Sequence, residues 1–109
     1  MTYPKRYNEN VNTFLKSDEF DDWLARLKDT VGKAIIIKRI RSAEMGNFGD
    51  CAPVGEGVVE MRVHYGPGYR IYCKRQKEVI YFLLIGGDKS SQKRDVLFAK
   101  AMARKITED

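Results

Sequence analysis

Residues Gly57–Arg75 read GVVEMRVHYGPGYRIYCKR and are predicted to form two antiparallel β-strands joined at Gly66-Pro67-Gly68. Pro suits the first central position of a type II turn, and Gly suits the second, which requires a positive φ. Because side chains alternate across a strand, one face of this hairpin should be apolar and the other cationic. The apolar face needs a hydrophobic cover, whereas the cationic face is either a solvated surface or a site for a polyanion. The two faces are predicted to consist of Val59, Met61, Val63, Tyr69, Ile71 and Cys73, and of Glu60, Arg62, His64, Arg70, Tyr72 and Lys74.

The length and composition of the chain favour a single cytoplasmic domain spanning residues 1–109. With 109 residues there is room for one hydrophobic core but not for two. No apolar run approaches the roughly 20 residues that span a bilayer, so no membrane partner is expected. The first ten residues, MTYPKRYNEN, lack the apolar segment of a signal peptide. Cys51 and Cys73 belong to no ligand pattern, so we expect no metal and no cofactor, with Cys73 buried as a reduced thiol.

Positive charge is concentrated in the hairpin and the residues that follow it. The chain carries a net charge of +5, but residues 62–105 alone contain eleven Lys or Arg and only three Asp or Glu. This asymmetry favours a nucleic acid or an acidic protein as the partner over a small neutral substrate.

The remaining segments predict an α+β fold with the order β-α-α-β-β-β-α. A short strand is expected within residues 5–16, and amphipathic spacing predicts helices over 18–28 and 30–45, capped by Ser17 or Asp18 and by Asp29 or Thr30. The glycine-rich residues 46–57 are predicted to be a loop. After a polar turn at 75–77, the apolar residues 78–85 predict a strand covered on both faces, and residues 91–106 predict a C-terminal helix. The expected result is a small antiparallel sheet with two N-terminal helices and the C-terminal helix packed on one face.

The cationic face suits one kind of reaction. When the 2′-hydroxyl of RNA attacks the adjacent phosphate, the substrate supplies the nucleophile and the growing charge is negative. Arg62, Arg70 and Lys89 could stabilise that charge and His64 could transfer a proton, with no metal required. Tyr72 would offer its ring to a base. Simple binding without catalysis remains the alternative.

The order of elements and three local motifs resemble the RelE/ParE superfamily of toxins, and most of all its phage-derived, HigB-like branch of addiction module killer proteins. The resemblance covers roughly residues 5–105. The motifs that carry it are GNFGD at Gly46–Asp50, RVHYGPGYR at Arg62–Arg70 and GGDKS at Gly86–Ser90.

The resemblance implies a toxin of a type II toxin–antitoxin system, held inactive by a helix-turn-helix antitoxin. RelE-like members are mRNA interferases, which cleave translated mRNA on the ribosome, whereas ParE-like members inhibit DNA gyrase. A gyrase inhibitor and a non-catalytic RNA-binding module therefore stay open as alternatives.

Carried over residue by residue, the resemblance assigns Arg70 to the scissile phosphate and Arg62 to proton transfer or charge stabilisation. His64 and Lys89 fall near further basic residues of the nucleases. Two departures are visible: Glu60 stands where those enzymes have a lysine, and the last helix contains no tyrosine to stack on a base. The expected substrate-binding residues are Tyr72, Lys74, Lys93 and Arg94.

Overall fold

The computed structural model describes residues 11–106, which form a five-stranded mixed sheet with three helices, so the predicted α+β class is confirmed. The strands lie in the order β1-β5-β4-β3-β2, and β1 runs parallel to β5 while the other neighbours are antiparallel. A 3₁₀ turn, Lys89–Ser91, leads into the last helix. The elements are β1 (Thr13–Lys16), α1 (Asp18–Arg26), α2 (Thr30–Glu44), β2 (Cys51–Gly55), β3 (Val58–Val63), β4 (Tyr69–Lys77), β5 (Ile80–Gly87) and α3 (Gln92–Ala103).

The helices pack on both faces of the sheet, so the prediction that they share one face was wrong. Side chains of α1 and α2 cover the face that carries Met61 and Ile71. Side chains of α3, among them Ala99, pack on the other face against Tyr72 and Ile85. The wholly apolar β5 accordingly meets a core on each side, as its sequence predicted.

The hairpin faces follow the predicted alternation. Met61 pairs with Ile71 and Arg62 pairs with Arg70, which places each predicted set of side chains on one side. Cys73 is buried as expected, and burial, with a smaller effect of Cys51, raises the pKa of its thiol to about 12.

The turn of the hairpin differs from the prediction. The closing hydrogen bond runs from the Gly68 N–H to the Tyr65 carbonyl at 3.0 Å, which puts Pro67 at the second central position. Gly66 takes the first central position with φ +57°, and Gly68 has φ +80°. Glycine is therefore needed at residues 66 and 68, because L side chains rarely adopt these angles.

Two segments predicted as loop or turn are strands. Residues 51–55 form the edge strand β2, although residues 46–57 were predicted to be a loop, so the sheet has five strands. The sheet is mixed rather than antiparallel because β1 runs parallel to β5. Strand β4 continues through residues 75–77, so the polar turn lies at 78–79 instead. The N-terminal strand lies within the expected segment, of which residues 5–10 fall outside the described part of the chain.

The predicted helix starts are confirmed. The Ser17 hydroxyl accepts the Phe20 N–H at 2.9 Å, and the Asp29 carboxylate accepts the Gly32 N–H at 2.9 Å. Before the last helix, Asp88 caps the 3₁₀ turn by accepting the Ser90 N–H at 2.9 Å in a capping box with Ser91, whereas Ser91, the N-cap of α3 itself, makes no side-chain capping bond. None of the helices within residues 11–106 combines the length and the apolar character needed to cross a membrane.

Close packing explains the pair of glycines at the end of β5. A Cβ on Gly86 would lie 2.3 Å from the Trp23 ring of α1, and one on Gly87 would lie 1.9 Å from Asp95 Oδ2 of α3. Both distances are far below any real carbon contact. The two glycines thus let α1 and α3 approach β5 from opposite faces of the sheet. The two helices thereby fix the end of β5, which leads to Lys89.

Replacing Gly87 with Ala is expected to lower the free energy of unfolding by about 2 kcal/mol, because the methyl group overlaps the Asp95 carboxylate. Urea unfolding checks this. Asp95→Ala alone and the double variant provide the control: removing the carboxylate should relieve the overlap, so the double variant should lose less than the sum of the two. Additive losses would contradict the proposed overlap.

Candidate functional site

The β3–β4 hairpin places two guanidinium groups directly opposite each other. Arg62 and Arg70 form one cross-strand pair, and Glu60 and Tyr72 form the next pair on the same face. Like charges opposite each other repel, so this arrangement requires a counter-ion.

Glu60 supplies that counter-ion from inside the fold. It is only 1% exposed, and its Oε1 accepts Arg62 Nε and Arg70 Nη1, each at 3.2 Å. Its Oε2 accepts the Tyr72 hydroxyl at 3.0 Å and Gln92 Nε2 from α3 at 2.8 Å. One carboxylate therefore connects both strands and the last helix, and all four of its partners are donors.

Glu60 remains ionised in this setting. Burial by itself would raise the pKa of its carboxyl, but the hydrogen bonds from Gln92, Tyr72 and Arg62, together with the charge of Arg70, outweigh burial and lower that pKa. The shift of Tyr72, one of these partners, has the opposite direction. Burial and the Glu60 carboxylate raise the pKa of the Tyr72 hydroxyl. Glu60, which departs from the nuclease pattern, is thus the buried support of the cationic face.

A second carboxylate, Asp50, lies at the open end of the same face. Asp50 Oδ2 is 2.5 Å from His64 Nε2, and Asp50 Oδ1 is 3.5 Å from Arg62 Nη1. The hydrogen bond with His64 is the largest cause that lowers the pKa of the Asp50 carboxyl, and the charge of Arg62 adds to it. The side chain of His64 is 74% exposed, so its ring is accessible to a substrate.

Arg39 of α2 fixes the chain on either side of this carboxylate. It donates to the carbonyls of Arg62, of Phe48 at 2.8 Å and of Asp50 at 3.2 Å. Gly49 has φ +69° and lies so close to Arg39 that a Cβ would be 2.8 Å from Nη2. The GNFGD segment is therefore held against the hairpin by a helix from the other face of the sheet.

Lys89 reaches the turn of the hairpin rather than the paired arginines. Its N–H donates to the Pro67 carbonyl at 3.4 Å, and its Cβ lies 3.4 Å from where a Cβ on Gly68 would be. Its side chain is exposed, as are those of Lys93 and Arg94 on the next turn of chain. These three predicted residues form a basic rim beside the site.

Two predicted substrate-binding residues lie elsewhere. Tyr72 is fully buried under α3, so its ring does not offer the predicted stacking surface. Lys74 pairs with Val58, four residues along β4 from Arg70 and hence about 13 Å away. Its ammonium lies beside Gly57 at the far end of the hairpin.

Sequence reasoning missed Asp50, Arg39 and Gln92. Asp50 belongs to the quoted GNFGD motif, but a segment predicted as loop gave no register to align it with His64. Gln92 and Arg39 are ordinary helix residues by sequence, and only the packing of α3 and α2 brings them to the hairpin. Within residues 11–106, no group of three His, Cys, Asp or Glu side chains is arranged to hold a metal ion.

One end of the β3–β4 hairpin thus carries a proton acceptor, His64, and two guanidinium groups in fixed orientations. Arg70, 13% exposed, and Arg62, 36% exposed, are oriented by Glu60, and His64 adds an imidazole that is 74% exposed. The two carboxylates offset much of the positive charge that the sequence alone suggested. The face is therefore an oriented set of donors more than a strong positive field.

The chain is similar in sequence to a known bacterial protein. An uncharacterized protein of Haemophilus influenzae (strain Rd) is 46% identical over 87 residues, which cover 80% of this chain and 88% of that protein. No family model matches the chain.

Proposed function

The chain belongs to the same family as this Haemophilus influenzae protein, and we propose that it is the toxin of a type II toxin–antitoxin system. Its proposed activity is that of an mRNA interferase, a metal-independent endoribonuclease that cleaves translated mRNA in the cytoplasm. A helix-turn-helix antitoxin would neutralise it. The resemblance to RelE-like toxins over Arg62–Arg70 and Gly86–Ser90 supports this proposal.

The observation that carries the proposal is the meeting of Arg62, Arg70 and His64 at one end of the hairpin. Two of these side chains share Glu60 and two share Asp50, so all three are held by neighbouring carboxylates rather than spread over a helix. Donors held in fixed positions suit negative charge that develops at one place, as on a phosphoryl group in the transition state.

The proposed reaction needs only groups that the substrate and this site supply. The 2′-hydroxyl gives its proton to His64, and its oxygen attacks the adjacent phosphorus. The bond from phosphorus to the 5′-oxygen breaks, and that oxygen takes up a proton. Arg62 and Arg70 stabilise the negative charge that develops on the phosphoryl oxygens. The products are a 2′,3′-cyclic phosphate and a 5′-hydroxyl, and DNA is excluded because it lacks the 2′-hydroxyl.

Lys89 and the neighbouring Lys93 and Arg94 have a separate role in this proposal. All three are exposed beside the hairpin turn, where they can contact phosphates of the RNA backbone. Such contacts position a nucleic acid without reading its sequence. The antitoxin would cover the same basic rim with an acidic segment.

Cleavage of mRNA on programmed ribosomes tests the proposal. The purified protein is expected to cut the message at defined positions mapped by primer extension, and a single 2′-deoxynucleotide at a mapped position should abolish the cut there. An unmodified message of the same sequence is the control. Cleavage at the deoxy position would contradict the chemistry.

The same preparation should leave DNA gyrase unaffected in a supercoiling assay. Inhibition of supercoiling without any mRNA cleavage would contradict the interferase and favour the gyrase inhibitor instead.

A further inference from the structure

His64 follows the last residue of β3 and would be a freely rotating surface side chain without a partner. Its side chain is 74% exposed, and its Nε2 lies 2.5 Å from Asp50 Oδ2. This contact selects one of the two ring nitrogens. With Nε2 directed at a carboxylate, the neutral ring carries its proton there and leaves a lone pair on Nδ1.

Asp50 is well placed to fix the ring because its own position is fixed. Its carbonyl accepts the Arg62 N–H at 2.9 Å, which ties it to β3. Arg39 also donates to that carbonyl, and Asn47 Oδ1 accepts the Gly49 N–H at 3.2 Å just before it. The charged groups that face the pair are Arg62 on β3 and Arg39 on α2, and both favour an ionised Asp50.

We propose that Asp50 is the positioning residue of a carboxylate–imidazole pair in which His64 accepts the proton of the RNA 2′-hydroxyl through Nδ1. This role rests on the proposed function. The proton moves from the 2′-oxygen to Nδ1, so the ring becomes an imidazolium whose Nε2–H stays on Asp50. The carboxylate stabilises that cation and takes no proton itself. The imidazolium returns the proton to solvent or to the departing 5′-oxygen.

Two features of the site favour His64 over the arginines and Glu60 as the proton acceptor. Arg62 and Arg70 keep their protons at any physiological pH, so they donate hydrogen bonds and cannot act as bases. Glu60 is enclosed by four donors and only 1% exposed, which leaves no path for a substrate hydroxyl. Asp50 is 43% exposed, but its two oxygens contact Arg62 and His64, and the exposed imidazole is therefore the proton acceptor in this proposal.

A double-mutant cycle tests whether Asp50 acts through His64. His64→Ala is expected to lower kcat for message cleavage about 100-fold, and Asp50→Asn to lower it about tenfold, with KM nearly unchanged in both. In the His64→Ala background, Asp50→Asn should cause no further loss beyond about twofold. Asp22→Asn, on the exposed surface of α1, is the matched control and should cleave normally. An equal tenfold loss in both backgrounds would overturn the positioning role.

A nuclear magnetic resonance measurement needs no activity, because His64 is the single histidine of the chain. In ¹H–¹⁵N spectra of the full-length protein, the imidazole of the wild type should show a protonated Nε2 whose proton exchanges slowly. Asp50→Ala should remove that slowly exchanging signal, while Asp22→Ala should keep it. A ring protonated at Nδ1, or a signal unaffected by Asp50→Ala, would overturn the pairing. If the pairing is present but the wild type cleaves no message, the proposed function fails, and the proton-accepting role with it.

Discussion

Replacing Glu60 with Gln is expected to lower the free energy of unfolding by about 3 kcal/mol, although the two side chains have nearly the same size. All four partners of the carboxylate donate hydrogen bonds to it: Arg62, Arg70, Tyr72 and Gln92. An amide would turn its NH₂ group toward donors, and it would leave two guanidinium groups without their shared counter-ion. Removing one member of a buried ion pair costs this order of free energy, whereas the pair itself adds little.

Urea unfolding of Glu60→Gln measures the loss, and Glu78→Gln is the matched control. Glu78→Gln is the same chemical change in the exposed turn between β4 and β5, where a surface substitution should alter the free energy of unfolding by less than about 0.5 kcal/mol. Equal stability of the two variants would show that the carboxylate is not the support of the cationic face.

The pH dependence of the loss provides a second measurement. The pKa of Glu60 is lowered by folding from its ordinary value of 4.5. A group with a lowered folded-state pKa stabilises the fold fully above the unfolded value, and this stabilisation disappears as the pH falls through the folded-state pKa. The difference between wild type and Glu60→Gln should therefore be constant near pH 7 and should shrink at pH values below 4.5.

The hairpin could be predicted from sequence because strand alternation depends on neighbouring residues alone. The faces of β3 and β4 follow from a period of two, and the helix starts at Ser17 and Asp29 follow from capping chemistry. The role of Glu60 could not be predicted in this way. A Glu in an exposed strand and a Glu buried under a helix look the same in sequence, and the packing of α3 makes the difference.

Strand β2 was not predictable for a related reason. Its residues, CAPVG, carry a proline and a glycine, which indicate a loop when read locally. Proline is tolerated because β2 is an edge strand, where one row of backbone N–H groups has no partner strand. Edge position is a property of the whole sheet. Because β2 was not predicted, Asp50 was also absent from the predicted site. Only the pairing of β2 with β3 brings Asp50 beside His64.

Charge counting overestimated the positive field for the same physical reason. Residues 62–105 contain eleven cations and three anions, but the anions that matter most, Glu60 and Asp50, lie just outside that range. Glu60 reaches Arg62 along the same face of β3, but only strand pairing brings Glu60 to Arg70 and Asp50 to Arg62. A substrate would therefore meet guanidinium groups in fixed orientations rather than a strong net positive charge.

Replacing Arg70 with Lys is expected to reduce message cleavage about 100-fold while the fold persists. Lysine keeps the positive charge beside Glu60, so the free energy of unfolding should fall by only about 1 kcal/mol. It does not keep the planar fork of donors, which can bond one carboxylate and still direct N–H groups at a phosphate. Losing one fixed donor to a developing anion typically costs a factor of 10² or more in rate.

Arg75→Lys is the matched control, because it makes the same change on the same strand at an exposed position beyond the site. It should cleave message at the rate of the wild type. Arg70→Lys should instead lose kcat with little change in KM, since the missing donor acts on charge that appears only in the transition state. Full activity in Arg70→Lys would mean that charge alone suffices at this position. The orientation imposed by Glu60 would then serve the stability of the hairpin and not the reaction.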